Sequence, residues 1–375
     1  LDFARMPREY VLADADVDLT AWARSMKSMH LLAPPGTFWN YSSPNFSLAA
    51  VALEAVTGSS YADYVTDALW RPAGMSATTF DPEAVVASGN YAVGHVGGAF
   101  FGEPGYYQRA HALPGGGAYS TPTELVTWAL QLASGGGDIL SPASVHAMTT
   151  PYYAADADVP WSPRTRYGYG IFVDDYRRID DPSHVVRVLR HPGNGRGYGT
   201  ELVWAPELGF VVTTLINDHN NMLQTVDCAL RQVAGLEPVP LVGRDTPASR
   251  WGKYTGTYAI TDLYGHRWTA RVALRDGQLN MRHPDWMLAP HIAQVYPDGA
   301  SMRALYYDTF RYNYAGGDQT ITFEAGRAPD APGAGTDHIG WLRNRYFVGR
   351  RVGELPEALE ITGRDCARLD LTAGQ

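Results

Sequence analysis

Apolar positions recur at helical spacing from Phe46 through Leu48, Val51, Ala52 and Leu53 to Val56, with Ser43-Pro44 ahead of them and Gly58 behind. A Ser-Pro start and a Gly stop frame a buried helix. A second helix is predicted over Tyr61–Leu69 and an earlier one near Leu19–Leu32, before the Pro34–Gly36 break. Residues 81–112 are irregular and rich in Gly and Tyr. Beyond them, Thr121-Pro122-Thr123-Glu124 opens an apolar-periodic stretch that should stop at Gly135–Gly137. Thr121 or Ser120 is a natural N-cap, Pro122 suits the first turn, and Glu124 stands at capping-box distance from Thr121.

The period then changes. From Tyr167 to Asn217 the chain runs as short β-rich segments, GYGIFVDDY, HVVRVLRH, GTELVWA and GFVVTTLIN, the last two joined by a hairpin-like PELG. Residues 220–234 return to helical spacing through Met222, Leu223, Val226, Leu230 and Val233. A linker reads over 237–248. After it come alternating, aromatic-rich strands with tight turns such as Asp276-Gly277, the pattern of a small antiparallel barrel. The resulting expectation is an α+β domain over 1–236, with an antiparallel sheet and flanking helices, and a β-barrel over 249–375.

Composition narrows the function. A net charge of −9 disfavours a nucleic-acid partner. No run of about 18 apolar residues predicts a membrane span. Cys228 and Cys366 form no CxxC, leaving a disulfide between them open. His219, His266, His283 and His291 show no metal-ligand spacing, so neither metal nor cofactor is expected. The Gly193–Gly199 run fits neither GxGxxG nor the Walker pattern and precedes a strand, so it reads as a turn. GxSxG is absent, which argues against an α/β-hydrolase elbow.

Four segments in order carry a resemblance: PPGTFWNYSSPNFSLAAVALEAVTGSSYADYVTDALWRPAGM; LPGGGAYSTPTELVTWALQLASGG with ILSPASVHAMTTP; YGYGIFV; and HPGNGRGYGTELVWAPELGFVVTTLIN. Over residues 30–234 they resemble the β-lactamase-like serine hydrolases, the clan of class C β-lactamases, DD-peptidases, D-aminopeptidases and esterases. The resemblance implies a β-lactamase/transpeptidase-like fold and three boxes around one cleft. These are Ser-x-x-Lys with the nucleophile, Tyr-x-Asn, and Lys-Thr-Gly or His-x-Gly. It also implies a lipocalin-like character for the barrel, and it favours export to a periplasmic or extracellular compartment.

The Tyr box falls on Tyr41-Ser42-Ser43. An isolated tyrosine in a chain with 23 of them is a packing residue; in this motif Tyr41 is the proton acceptor for the nucleophile. Ser43 stands where the family has asparagine, and a serine hydroxyl lacks the NH2 donor pair. Asn45 is the alternative amide. The third box falls on His191-Pro192-Gly193. His191 would donate a hydrogen bond to a substrate carboxylate or to the tyrosine oxygen, and Gly193 would leave room for the acyl group. The N–H of Asn194 would be an oxyanion donor. Tyr119 is a candidate wall residue of the substrate groove.

The first box is missing. The only lysines are Lys27 and Lys253, and the residues three places before them are Arg24 and Arg250. The chain also begins at Leu1 without a signal peptide. The expectation is a partner: an N-terminal chain or segment of the same precursor that carries the serine and completes the sheet, whose edge would otherwise be open and apolar. The reaction would be hydrolysis of an ester, an amide or a D-amino-acid peptide through an acyl-serine. The alternatives are acyl transfer on the same scaffold and a non-catalytic binding relative.

Overall fold

The computed structural model describes residues 18–26, 39, 41–96, 98–102, 104–105, 110, 112–154, 166–195, 197–218, 222–238, 248–262, 267–282, 300–306, 309–314, 317–324, 339–344 and 347–353. The Pro34–Gly36 break, residues 239–247 of the linker, Cys366 and the four histidines at 219, 266, 283 and 291 lie outside these residues. The elements fall into two compact units, one reaching to Pro238 and one starting at Ala248.

In the first unit, α1 (Leu19–Ser25) is capped by Asp18, which accepts from Ala21 N at 2.6 Å, and residues 27–32 of the predicted helix lie outside the described residues. It buries Leu19 and Trp22 against Ala50 of α2 (Ser43–Thr57). Gly58 ends α2 in the left-handed region at φ 71°, a conformation that is cheap only for glycine. The second predicted helix divides into α3 (Tyr61–Val65) and one π-helical stretch, Thr66–Trp70. Within 81–112, read as irregular, the structure contains α4 (Pro82–Ala87) and a small hairpin of β1 (Gly94–Val96) and β2 (Ala99–Gly102).

Helix α5 (Pro122–Ala133) starts where its capping signals stand. Thr121 Oγ1 accepts from Glu124 N at 3.3 Å. The reciprocal half of the capping box does not form. The Glu124 carboxylate accepts instead from Ala77 N at 2.8 Å and from the Thr78 hydroxyl at 2.5 Å. Two outside donors draw the carboxylate away from the helix's own N-cap amide. The helix α6 (Pro142–Thr149) follows.

The sheet is antiparallel, ordered β3 (Tyr153–Ala154), β4 (Arg166–Tyr167), β5 (Phe172–Arg178), β6 (Val185–Gly195), β7 (Tyr198–Ala205) and β8 (Phe210–Ile216). Strand β9 (Leu236–Pro238) pairs with β5, so the first residues of the expected linker belong to the sheet. PELG forms a 3-10 turn closed by Gly209 at φ 60°. Alternation sorts the two faces. Val173, Leu189 and Trp204 pack with Ala129 and Leu132 of α5 and Val145 of α6. Val186, Val188 and Val203 pack with Val226 and Leu230 of α7 (Leu223–Gln232). Cys228 on α7 is a free, exposed thiol.

The second unit is a closed eight-stranded antiparallel barrel: β10 (Gly256–Asp262), β11 (Arg267–Arg275), β12 (Gln278–Arg282), β13 (Ala300–Tyr306), β14 (Thr309–Tyr314), β15 (Gly317–Glu324), β16 (Trp341–Asn344) and β17 (Phe347–Gly353), with β17 pairing back on β10. Asp276-Gly277 forms the β11–β12 turn with φ of 50° and 74°, the positive pair that a two-residue hairpin requires. Tyr254, Tyr258, Phe310 and Phe323 are essentially fully buried among aliphatic side chains in its interior. That interior is a packed core.

Candidate active site

Strand β6 and the N-terminal mouth of α2 bring together the two residues on which the sequence reading rests. The Tyr41 and His191 ring centroids lie 6.3 Å apart, inclined by 36°. Tyr41 stands two residues before α2 begins, so the helix start sets its position. His191 lies mid-strand, paired with Leu202 of β7 and one residue beyond the last β5–β6 pair, Phe172 with Arg190. Phe172 supports its ring at 5.4 Å.

A further phenol completes the group. Tyr167, only 6% exposed, carries its hydroxyl to 3.3 Å from His191 Nε2, while His191 Nδ1 lies 2.6 Å from the Pro192 carbonyl oxygen. A carbonyl accepts only, so in the neutral imidazole Nδ1 carries the proton and donates to Pro192 O. Nε2 is then the acceptor, and the Tyr167 hydroxyl donates to it. Burial pushes the Tyr167 phenol well above the ordinary tyrosine range, and Tyr41 beside it pushes further in the same direction. Two neighbouring phenolates would repel, so Tyr167 is the phenol held protonated. Sequence reasoning missed Tyr167. The available signal was Gly168 after it, where a Cβ would run into the Met148 carbonyl, so the backbone must pass close there.

The other expected site residues divide. Gly193 and Asn194 follow His191 on β6, opposite Thr200 and Gly199 of β7. A Cβ at Gly193 would collide with the Thr200 hydroxyl, so the space freed by this glycine is taken by its cross-strand neighbour. Asn194 is exposed. Ser43 is 7% exposed at the first position of α2, whereas Asn45 is exposed and its N–H donates to Ser42 O at 3.2 Å. Tyr119 is bridged to Thr79 through both backbone groups, and its hydroxyl accepts from Gly105 N at 2.9 Å. Burial raises its pKa, with the Gly105 bond opposing. The hydrogen bonds described for Asn45 run to Ser42, and those for Tyr119 run to Thr79 and Gly105.

Next to His191 the sheet buries charge on the side that α7 covers. Arg190 Nε donates to Asp174 Oδ2 at 2.6 Å and its Nη1 lies 3.8 Å from Glu201. Tyr176 donates to Asp227 of α7 at 2.9 Å. Burial pulls the Arg190 pKa down, but the attraction of Asp174 and Glu201 outweighs it and the net shift is upward. Glu201 is fully buried, and burial pushes its pKa up to about 7 against the opposing pull of Arg190. Among the described residues, no group of three or more His, Cys, Asp or Glu converges as metal ligands. No described helix is long and apolar enough to cross a membrane.

A helix-flanked antiparallel sheet with a tyrosine at a helix mouth facing a strand-borne His-x-Gly is a β-lactamase-type scaffold. Residues 2–236 match the family model described as Beta-lactamase, and the chain belongs to that family. It is 29% identical over 223 residues to "Unguisins hydrolase ungD'" of Aspergillus campestris (strain IBT 28561), covering 56% of this chain and 40% of that protein. It is 25% identical over 305 residues to "Putative beta-lactamase-like 1" of Homo sapiens, covering 75% of this chain and 53% of that protein. The chain thus spans about half, or less, of the length of these relatives. In fold it is similar to SurE, solved with D-Leu, at TM-score 0.59 and 18% identity, over 90% of this chain and 74% of that one. The octameric penicillin-binding protein homologue from Pyrococcus abyssi follows at TM-score 0.52 and 17% identity, over 89% and 70%.

Proposed function

We propose that this chain is part of a serine hydrolase that opens an ester, an amide or a D-amino-acid peptide through an acyl-serine. The observation that carries the reading is the Tyr41–His191 pair, 6.3 Å between ring centroids at one end of α2. The relative named for hydrolysing unguisins supports hydrolysis. Residues 1–236 form the catalytic part and 249–375 an appended barrel.

The nucleophile comes from an N-terminal segment outside this chain, because no Ser-x-x-Lys occurs in it. Two surfaces support a covering segment. Phe46, Leu48 and Val56 leave α2 apolar and 38%, 43% and 87% exposed. Strand β8, FVVTTLI, is half-exposed along its whole length and, among the described residues, pairs only with β7. An apolar edge of this kind is costly to leave in water.

In the reaction Tyr41, as the phenolate that the lysine of the incoming Ser-x-x-Lys would stabilise, takes the serine proton as the serine oxygen bonds to the substrate carbonyl carbon. The carbonyl π-electrons move onto oxygen, where the Asn194 N–H receives the charge. Collapse expels the alcohol or amine, which takes the proton back from Tyr41. Water repeats both steps to free the acid and the serine. An amine or alcohol in place of water would make the enzyme an acyl transferase.

The test is labelling of the full-length precursor product with a fluorescent penicillin and a fluorophosphonate, with intact mass and mapping of the labelled peptide. Stoichiometric labelling of a serine upstream of residue 1 is expected. A folded, complete protein that takes no label would overturn the reading and leave the non-catalytic binder, which Ser43 in the asparagine position favours.

A further inference from the structure

We infer that Tyr167 is a positioning residue that holds His191 in its Nδ1–H tautomer, so that Nε2 is a hydrogen-bond acceptor and not a donor. Its consequence for catalysis rests on the hydrolase reading, but the tautomer itself does not.

The geometry assigns each ring nitrogen. The Pro192 carbonyl, 2.6 Å from Nδ1, needs a donor there. The Tyr167 hydroxyl, 3.3 Å from Nε2, supplies one. The tautomer of an imidazole is set by the hydrogen bond its other nitrogen makes, and here both bonds select the same form. Tyr167 is itself constrained. Its ring stands edge-on to Phe172 at 4.7 Å, across the β4–β5 ladder in which the two are paired. Gly168 permits the close pass by Met148 that keeps the phenol in place. Phe172 also packs against His191 at 5.4 Å, but it offers neither ring nitrogen a hydrogen bond.

This changes what His191 offers. In the neutral state it cannot donate to a substrate carboxylate, because its one proton, on Nδ1, is donated to Pro192 O. It accepts at Nε2, either from Tyr167 or from a donor on the reacting groups. It donates at Nε2 only after gaining a proton, and Tyr167 then turns its oxygen lone pairs toward it.

The experiment is 15N NMR of imidazole-labelled protein at a pH where the ring is neutral, with His191 assigned by His191→Gln. The wild type is expected to show a protonated Nδ1 and an unprotonated Nε2. Tyr167→Phe is expected to raise the Nε2–H fraction severalfold, whereas Phe172→Leu, which disturbs packing but keeps the hydroxyl, leaves the tautomer unchanged. A wild-type spectrum dominated by Nε2–H overturns the inference whether or not either variant folds. So does a folded Tyr167→Phe protein with unchanged shifts, or a Phe172→Leu protein that shifts as much as Tyr167→Phe. A wild type in the Nδ1–H form that nevertheless takes no covalent probe would sink the hydrolase reading and leave the tautomer assignment standing.

Discussion

Arg190 donates to Asp174 at 2.6 Å inside the sheet, one residue before His191. Both side chains are almost wholly enclosed, at 6% and 0% exposure. The strand that carries the candidate catalytic imidazole is therefore clamped by a buried ion pair on its other side. Removing one partner of such a pair strands the other charge in a medium that solvates it poorly. Arg190→Met is expected to cost about 3–5 kcal/mol, measured by urea unfolding. Asp174→Asn should cost less, since the amide oxygen still accepts from Arg190.

Glu201 makes stability depend on pH. Its ordinary value of 4.5 is raised to about 7 in the folded protein. Between those values the folded state holds a proton that the unfolded state has released. Stability is then highest below the ordinary value, falls as pH rises toward about 7, and stays lower above it. The difference is roughly 3 kcal/mol. Glu201→Gln is expected to flatten this part of the curve and to exceed wild type above neutrality. Urea midpoints across the acid-to-neutral range provide the check, and a wild-type curve that rises with pH there contradicts the assignment.

Tyr41→Phe removes the proposed proton acceptor while keeping the ring against His191. The acylation rate is expected to fall by about 10²–10⁴-fold, read as the labelling rate with a fluorophosphonate probe on the complete protein. His184→Ala supplies the control. His184 is exposed and paired with Glu207, away from the groove residues, and its loss should leave the rate unchanged.

Gly197 turns β6 into β7 at φ 84°, and a Cβ there would stand 2.8 Å from Gly94 Cα. The backbones meet because His95 N donates to both Gly197 O and Asn217 O. Gly197→Ala combines backbone strain with a collision against main chain and is expected to destabilise by at least about 1–2 kcal/mol. Gly94→Ala has no positive φ and meets the Tyr198 ring at 3.0 Å and Gly197 Cα at 3.1 Å. Its smaller loss in thermal unfolding separates collision from strain.

Local rules alone determined much of this protein. Gly58 ended α2, Thr121 and Pro122 started α5, and Asp276-Gly277 turned a barrel hairpin, because caps and turns are settled within a few residues. Strand alternation likewise sorted Val188 and Leu189 onto opposite faces. The order of Tyr41 and His191 within the family's motifs named the pair before any distance was known. Only the tertiary structure decided the remainder. It drew the Glu124 carboxylate away from its own helix to Ala77 and Thr78, it gave the space beside Gly193 to Thr200, and it set the Tyr167 hydroxyl on Nε2 of an imidazole 24 positions along the chain. Those outcomes depend on register between strands and on which donor reaches an acceptor first in three dimensions. A one-dimensional pattern of apolar and polar residues does not carry that information.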